Sequence, residues 1–292
     1  MQWRQFVMEL DSLDAERVEH AFASLGALSI TLSDAADNPV LEPAPGETPL
    51  WPKTKLTALF TADTDFESLR VGLKNLLEVD ELPGHSVEEL ADRVWEREWQ
   101  KDFAPMQFGR RLWIAPASIA ISARDAIVVK LDPGLAFGSG SHPTTALCLD
   151  WLEQAALHDR SILDLGCGSG ILAIAAAKLG AAQVHAVDID LQAITATRQN
   201  ALANGVGDKI VTGNDVSDDL APFDIIVANI LAGTLIDQAE SICSWLKPGG
   251  LLVLSGILSG QTDNVADAYR HSIDFETPAF RDEWARLAGT RH

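Results

Sequence analysis

Residues 161–190 read SILDLGCGSGILAIAAAKLGAAQVHAVDID. An apolar run, SILDL, meets three glycines, Gly166, Gly168 and Gly170. Too short for a helix, such a run ending in glycines reads as a strand buried on both faces. ILAIAAAK follows, rich in strong helix formers, and Gly180 closes it. A second apolar strand, QVHAVDID, ends around Asp188. Strand, glycine turn, helix and strand make one βαβ unit, and glycines at such a turn let a ligand approach the backbone.

The same alternation continues downstream. LQAITATRQNALANG reads as a helix closed by Gly205, and FDIIVANI (223–230) as the third clear strand. TLIDQAESICSWLKPGG reads as one helix ended by Pro-Gly-Gly, and LLVLSGI as the next strand. A helix over 260–270 and candidate strands SIDFETP and EWARLAGTR complete the chain. Apolar strands alternating with helices predict a parallel sheet covered on both faces. Ligands bind such sheets at the carboxyl ends of the strands, so the chemistry is expected at Gly166, Asp188 and Asn229.

The first ninety residues follow another pattern. Phe6, Met8 and Leu10 alternate; Val18, Phe22 and Leu25 share a helical face ended by Gly26; Leu28, Ile30 and Leu32 alternate again. Residues 33–53 hold five prolines and read as a loop. KLTALF is a strand, Phe66, Leu69, Leu73 and Leu76 form a helical stripe, and HSVEEL is a weak last strand. The order β-α-β-β-α-β is the split βαβ pattern. Residues 91–103, ADRVWEREWQKDF, with Trp95 and Trp99 four apart, read as a helical connector or as the first helix of the second domain. The expected division is therefore 1–90, a linker at 91–103, and 104–292.

Composition bounds the function. Of the 292 residues 47% are hydrophobic and 22% charged, an ordinary globular balance. No apolar run is long enough to span a bilayer, and MQWRQFVMELD does not read as a signal peptide. Three scattered cysteines suit a reducing cytoplasm and supply no disulfide framework or metal site. A net charge of −20 argues against gripping a phosphate backbone. It fits a basic protein partner or plain solubility equally well.

The glycine spacing is G-x-G-x-G, with Asp164 two residues before it, unlike the G-x-G-x-x-G of dinucleotide-binding turns. Asp188 suits ribose hydroxyls, with Asp190 as the competing acid and helix capping as the other use of either. The amide oxygen of Asn229 and the carbonyl of Ile230 can both accept from an amine and orient its lone pair; Asn229 can equally be a turn former. Upstream lies DPGLAFGSGSHPTT (132–145), a second loop rich in glycine. Its His142 is either a general base or a brace for its own loop, and Phe137 is either a wall of the site or core. Cys167 reads as a small filler.

Together these residues resemble the class I S-adenosylmethionine-dependent methyltransferases. The likeness narrows on DPGLAFGSGSHPTT, DLGCGSGILAIAAAKLGA, VDIDLQAI, VANILAG and WEREWQKDFAPMQFGRRLWI, in which the chain resembles the ribosomal protein L-eleven (L11) methyltransferase family. That family usually has F-G-T-G-T-H-P-T-T in the first loop; here Ser139 and Ser141 replace both threonines and keep their hydroxyls. The resemblance implies a C-terminal Rossmann-like domain with a seven-stranded, mostly parallel sheet, and a small N-terminal ferredoxin-like α+β domain that recognises the target. It implies S-adenosyl-L-methionine as cofactor, held by Thr145, Gly166, Gly168, Asp188 and Asn229, with Asn229 also catalytic. It implies L11, a basic ribosomal protein, as the partner methylated on its N-terminal α-amine and lysine ε-amines, with no metal, membrane or direct nucleic-acid partner. The competing readings are an amino-methyltransferase for nucleic acid, another protein or a small molecule, and a cofactor-binding module without turnover.

Overall fold

The structure is a computed structural model that describes residues 3–11, 13–35, 53–90, 104–131, 140–216 and 222–292. The chain divides into two compact units, Met1–Trp95 and Glu96–His292. The expected connector at 91–103 lies outside the described residues, as does the start of the glycine-rich loop, with Phe137 and Ser139.

In the first unit, strands β1 (Trp3–Glu9), β2 (Ser29–Asp34), β3 (Thr54–Thr61) and β4 (His85–Leu90) alternate with helices α1 (Ala15–Ser24) and α2 (Phe66–Leu77). The sheet is antiparallel in the order β2-β3-β1-β4, the ferredoxin-like arrangement expected. Asp14 caps α1 through the Arg17 N–H at 2.8 Å, and Asp65 caps α2. Alternate residues of β1 and β3 join both helices in one core around Phe6, Phe22, Phe60 and Leu73. One position differs from the expected stripe: Leu77 is buried, whereas Leu76 is 46% exposed. The helix presents its i+4, i+8 row from Leu69, and Leu76 falls beside that row.

The second unit opens with a small sheet of β5 (Met106–Phe108), β6 (Leu112–Ala115) and β7 (Ile127–Lys130), which the sequence did not announce. Asn204 ties it to the rest, accepting from the Lys130 N–H at 2.8 Å and donating to the Lys130 carbonyl at 2.7 Å. After helix α3 (Pro143–Gln154) comes the main sheet, β8 (Ser161–Leu165), β9 (Gln183–Val187), β10 (Ile210–Gly213), β11 (Phe223–Asn229), β12 (Leu246–Leu258), β13 (Ile273–Phe275), β14 (Ala279–Arg281) and β15 (Trp284–Arg291). Its order is β10-β9-β8-β11-β12-β15-β13, with β14 beside β15. The first five strands run parallel; β15 is antiparallel to β12, β13 and β14.

Neighbouring residues of each central strand enter different cores. Ile162, Val184, Ile225 and Val253 pack with α3 and α4 (Ile171–Lys178). Leu163, Ile226, Leu252 and Leu254 pack with α6 (Ala232–Asp237), α7 (Ala239–Trp245) and α8 (Thr262–Tyr269). That two-sided burial is what the continuous apolar runs encode. The helix expected over 234–247 is instead two, broken at Gln238 and finished at Trp245. Pro-Gly-Gly ends no helix: β12 already begins at Leu246 and absorbs it as a register shift against β11. Strand β10, between α5 (Leu191–Ala203) and β11, also escaped the sequence reading, so Gly166, Asp188 and Asn229 end or follow β8, β9 and β11 rather than successive strands.

Candidate active site

The chain reverses sheet direction between β8 and β11, and a cavity of about 580 Å³ opens there at the carboxyl ends of the strands. Gly166, Gly168 and Asp188 line one part of it; Thr145 and Asn229 line another. The structure thus brings together all five residues that the sequence singled out.

The glycine turn is held from several sides. The N–H groups of Gly166 and Cys167 both donate to the Val187 carbonyl, at 2.8 and 3.1 Å. Gly166, Gly168 and Gly170 have φ of +76°, +53° and +80°, a region that side-chain-bearing residues avoid. A Cβ on Gly166 would strike the Ile230 side chain. From α5, Thr197 donates to the Gly168 carbonyl at 3.0 Å and Asn200 to the Ser169 carbonyl at 2.9 Å.

The N-cap position of α4 is Gly170, which has no side chain to cap the helix. Buried Asp164 replaces it, accepting the Ala173 N–H on Oδ2 at 2.9 Å. Its Oδ1 is buried without a partner. Burial pushes the Asp164 carboxyl up to about 7, the Ala173 N–H opposes this, and nearby Asp188 adds to it.

Asp188 and Asp190 divide the two roles. Asp188 accepts the Gly168 N–H on Oδ2 and the Asp190 N–H on Oδ1, each at 2.9 Å. Asp190 caps α5 through the Gln192 N–H at 2.8 Å. The carboxylate of Asp188 is therefore fixed in the cavity wall, and each oxygen keeps a further lone pair.

At the other end Asn229 donates its amide N–H to the Thr145 hydroxyl at 3.3 Å. This turns the Asn229 amide oxygen away from Thr145 and leaves the hydroxyl proton free to donate. Thr145 is itself 1% exposed. His142 is the N-cap of α3: Nδ1 lies 2.7 Å from the Thr144 hydroxyl and 3.4 Å from the Thr144 N–H, ahead of Pro143. Burial lowers its pKa, and Glu283 acts the other way. Cys167 is buried and its thiol is pushed up to about 12, chiefly by burial, so it is inert as a nucleophile. Among the described residues no cluster of His, Cys, Asp and Glu could hold a metal ion.

The cavity also takes in residues that the sequence did not single out: Asn214 and Asp215 after β10, Gly256 in β12 and Trp284 at the start of β15. The first two were missed along with their strand, and Trp284 follows a long antiparallel return that no short spacing marks.

Five parallel strands in this order, an antiparallel pair at the edge, and a glycine turn after β8 bonded to an acid at the end of the neighbouring β9, beside the switch point, define the class I methyltransferase fold. The chain belongs to the ribosomal protein L11 methyltransferase family. The family model described as "Ribosomal protein L11 methyltransferase (PrmA)" matches residues 2–292. The ribosomal protein L11 methyltransferase of Methylococcus capsulatus is 50% identical over 292 residues, 99% of each chain. That of Pseudomonas paraeruginosa is 48% identical over all of this chain and 99% of its own. The crystal structure of the ribosomal protein L11 methylase of Lactobacillus delbrueckii subsp. bulgaricus has a TM-score of 0.60 at 36% identity, covering 65% of this chain and 99% of that one.

Proposed function

We propose that this enzyme uses S-adenosyl-L-methionine to methylate ribosomal protein L11 on its N-terminal α-amine and on lysine ε-amines. The site fits that cofactor. A cavity of about 580 Å³ lies within the usual range for small-ligand pockets. The two oxygens of Asp188, each already fixed by one N–H, suit a vicinal diol. Gly166 and Gly168 present backbone in left-handed conformations, and a Cβ on Gly166 would strike Ile230. Asp188, Gly166 and Gly168 would hold the nucleoside part, and Thr145 and Asn229 the part nearer the reacting centre. Bound there, the cofactor supplies an electrophilic methyl group on a positively charged sulfur.

The remaining work falls on the protein. A lysine ε-amine must shed a proton first, at a cost of about 4–5 kcal/mol at pH 7 for a pKa near 10.4. An α-amine with a pKa near 8 costs about 1 kcal/mol. Burial and a neighbouring positive charge both lower such a pKa, so the site needs alignment more than a strong base. The amide oxygen of Asn229 and the Ile230 carbonyl accept from the amine and aim its lone pair. His142, already engaged as a helix cap, holds the wall of the site rather than taking the proton.

The observation that carries this reading is the Asn229–Thr145 hydrogen bond, which orients an acceptor at the switch point beyond the fixed Asp188 carboxylate. In the same reading residues 1–90 recognise the target, 91–103 link the domains and 104–292 carry the chemistry. A net charge of −20 favours encounter with a basic protein. Free L11 would be met in the cytoplasm. Incubation with methyl-labelled cofactor and a cell lysate is expected to label one small basic ribosomal protein. Label in RNA, or none on L11, overturns the proposal.

A further inference from the structure

Two aromatic rings border the Asn229 end of the cavity, and one of them, Trp284, has no part in the function proposed so far. Trp284 opens β15 and His142 precedes α3. Their rings meet edge to face, centroids 4.9 Å apart at 66°, and both residues line the cavity with Thr145 and Asn229. Strand pairing explains why. Asn229 stands opposite Ser255 on one side of β12, and Trp284 stands opposite Leu258 on its other side. Gly256 lies between these rows and lines the same cavity. With φ of +81° it has no side chain to place there, and a Cβ would strike the Ile230 carbonyl. The Ile230 carbonyl is one of the two acceptors assigned to the amine. The strand between amine and indole is thus bare at the position where a side chain would crowd them.

Indole is the strongest of the natural aromatic partners for a cation within about 6 Å. A protonated histidine beside it would repel that cation. Burial holds the His142 pKa below its ordinary value, although Glu283 pulls it up.

The geometry points to Trp284, braced by His142, as the residue that retains a partly methylated amine for further methyl transfers. This rests on the amine-methylating function proposed for the site. Each round forms one N–C bond as the donor's S–C bond breaks, and the product nitrogen is a methylated ammonium cation. Before the next round that nitrogen gives one proton to water. During this interval it is a cation, bulkier and less hydrated with each methyl, and the indole holds it beside Asn229. The third transfer leaves a quaternary nitrogen with no proton to lose, and the series ends there.

The test uses the full chain, purified L11, and the variants Trp284→Leu and Trp284→Phe, with products resolved by intact mass. In Trp284→Leu the ratio of later transfers to the first is expected to fall about tenfold, so mono- and dimethyl species accumulate, while Trp284→Phe keeps most of the wild-type distribution. An unchanged distribution in Trp284→Leu, at whatever total rate, overturns the assignment. A second measurement needs no turnover and no variant fold. Tetramethylammonium is titrated into wild-type enzyme while the Trp284 indole N–H resonance is followed. A saturable shift at millimolar concentrations is expected, and no shift overturns the assignment. If the cation shifts Trp284 while wild-type enzyme leaves L11 unmethylated, the substrate reading fails and the cation site stands.

Discussion

At the Asp188 end of the cavity a ligand faces mostly backbone: the left-handed turn of Gly166, Gly168 and Gly170, and a carboxylate gripped by two main-chain N–H groups. At the Asn229 end it faces side chains drawn from separate segments, Thr145 and His142 at the start of α3, Asn229 at the end of β11 and Trp284 at the start of β15. A backbone wall has few ways to rearrange, which suits a ligand held identically in every turnover. A wall of side chains can adjust its rotamers, which suits acceptors of different size, such as an α-amine and a lysine.

The sharpest way to break this contrast is Asn229→Ala. With the acceptor end disabled, turnover is expected to fall about a hundredfold or more, from lost alignment, with the fold retained. Cofactor affinity should change far less, and an equal loss in both would merge the two ends into one site. Asp188→Ala is the converse experiment. Removing an acceptor of charge-assisted hydrogen bonds should weaken cofactor binding by about tenfold to a hundredfold, read by calorimetry. Turnover at saturating cofactor should stay near wild type. Gly166→Ala tests where the ends meet. A left-handed alanine costs about 1–2 kcal/mol, and its Cβ also presses on Ile230, next to Asn229. Lower thermal stability with weakened binding and turnover together is expected, and a loss confined to binding would place Ile230 outside the acceptor end.

The same contrast decides what the sequence could reveal. Backbone demands are written as residue type and spacing: three glycines after an apolar strand, an acid after the next. Those positions were legible, as was a sheet covered by helices on both faces, because continuous apolar strands announce burial on both faces. Asn229 was legible only as an alternative to a turn former, and its Thr145 partner only through family resemblance. Trp284 was read as one letter of a strand, because antiparallel pairing with β12, and no local pattern, carries it to the cavity. Strand β10 was lost because IVTG is too short and too mixed to stand out from its turn. Gln238 breaks a helix whose apolar spacing continues across it, so only packing against β12 reveals the break.

Two buried groups on adjacent strands carry the contrast into pH, with opposite signs. Asp164 supports the glycine turn at the end of β8, and burial raises its folded pKa to about 7 from the ordinary carboxylate value of 3.8. The folded state therefore holds that proton more tightly than the unfolded state. Its stabilising effect is complete below about pH 4 and is lost as pH rises through about 7. Asp164→Asn keeps an acceptor for the Ala173 N–H and carries no charge. Its melting temperature relative to wild type should climb by several degrees between pH 4 and 8, and a constant difference would mean that Oδ1 is solvated.

His185 lies one row away, paired with Leu163 of β8 and packed on Phe223 with ring centroids 5.1 Å apart. It is 5% exposed, and burial lowers its pKa below 6.5. Here the folded state binds the proton less tightly than the unfolded one. Stability is complete above the unfolded value and drains away as pH falls through 6.5 and below it. His185→Leu removes the titrating ring, so its melting temperature relative to wild type should rise as pH drops from 7.5 to 5.5, by less than the Asp164 effect and in the opposite direction. The glycine turn lies at the end of β8 and His185 lies inside the sheet, so cofactor affinity should be indifferent to His185→Leu and sensitive to Asp164→Asn. If both variants weaken binding alike, the pH response belongs to the whole sheet, and the backbone-built end has no separate support of its own.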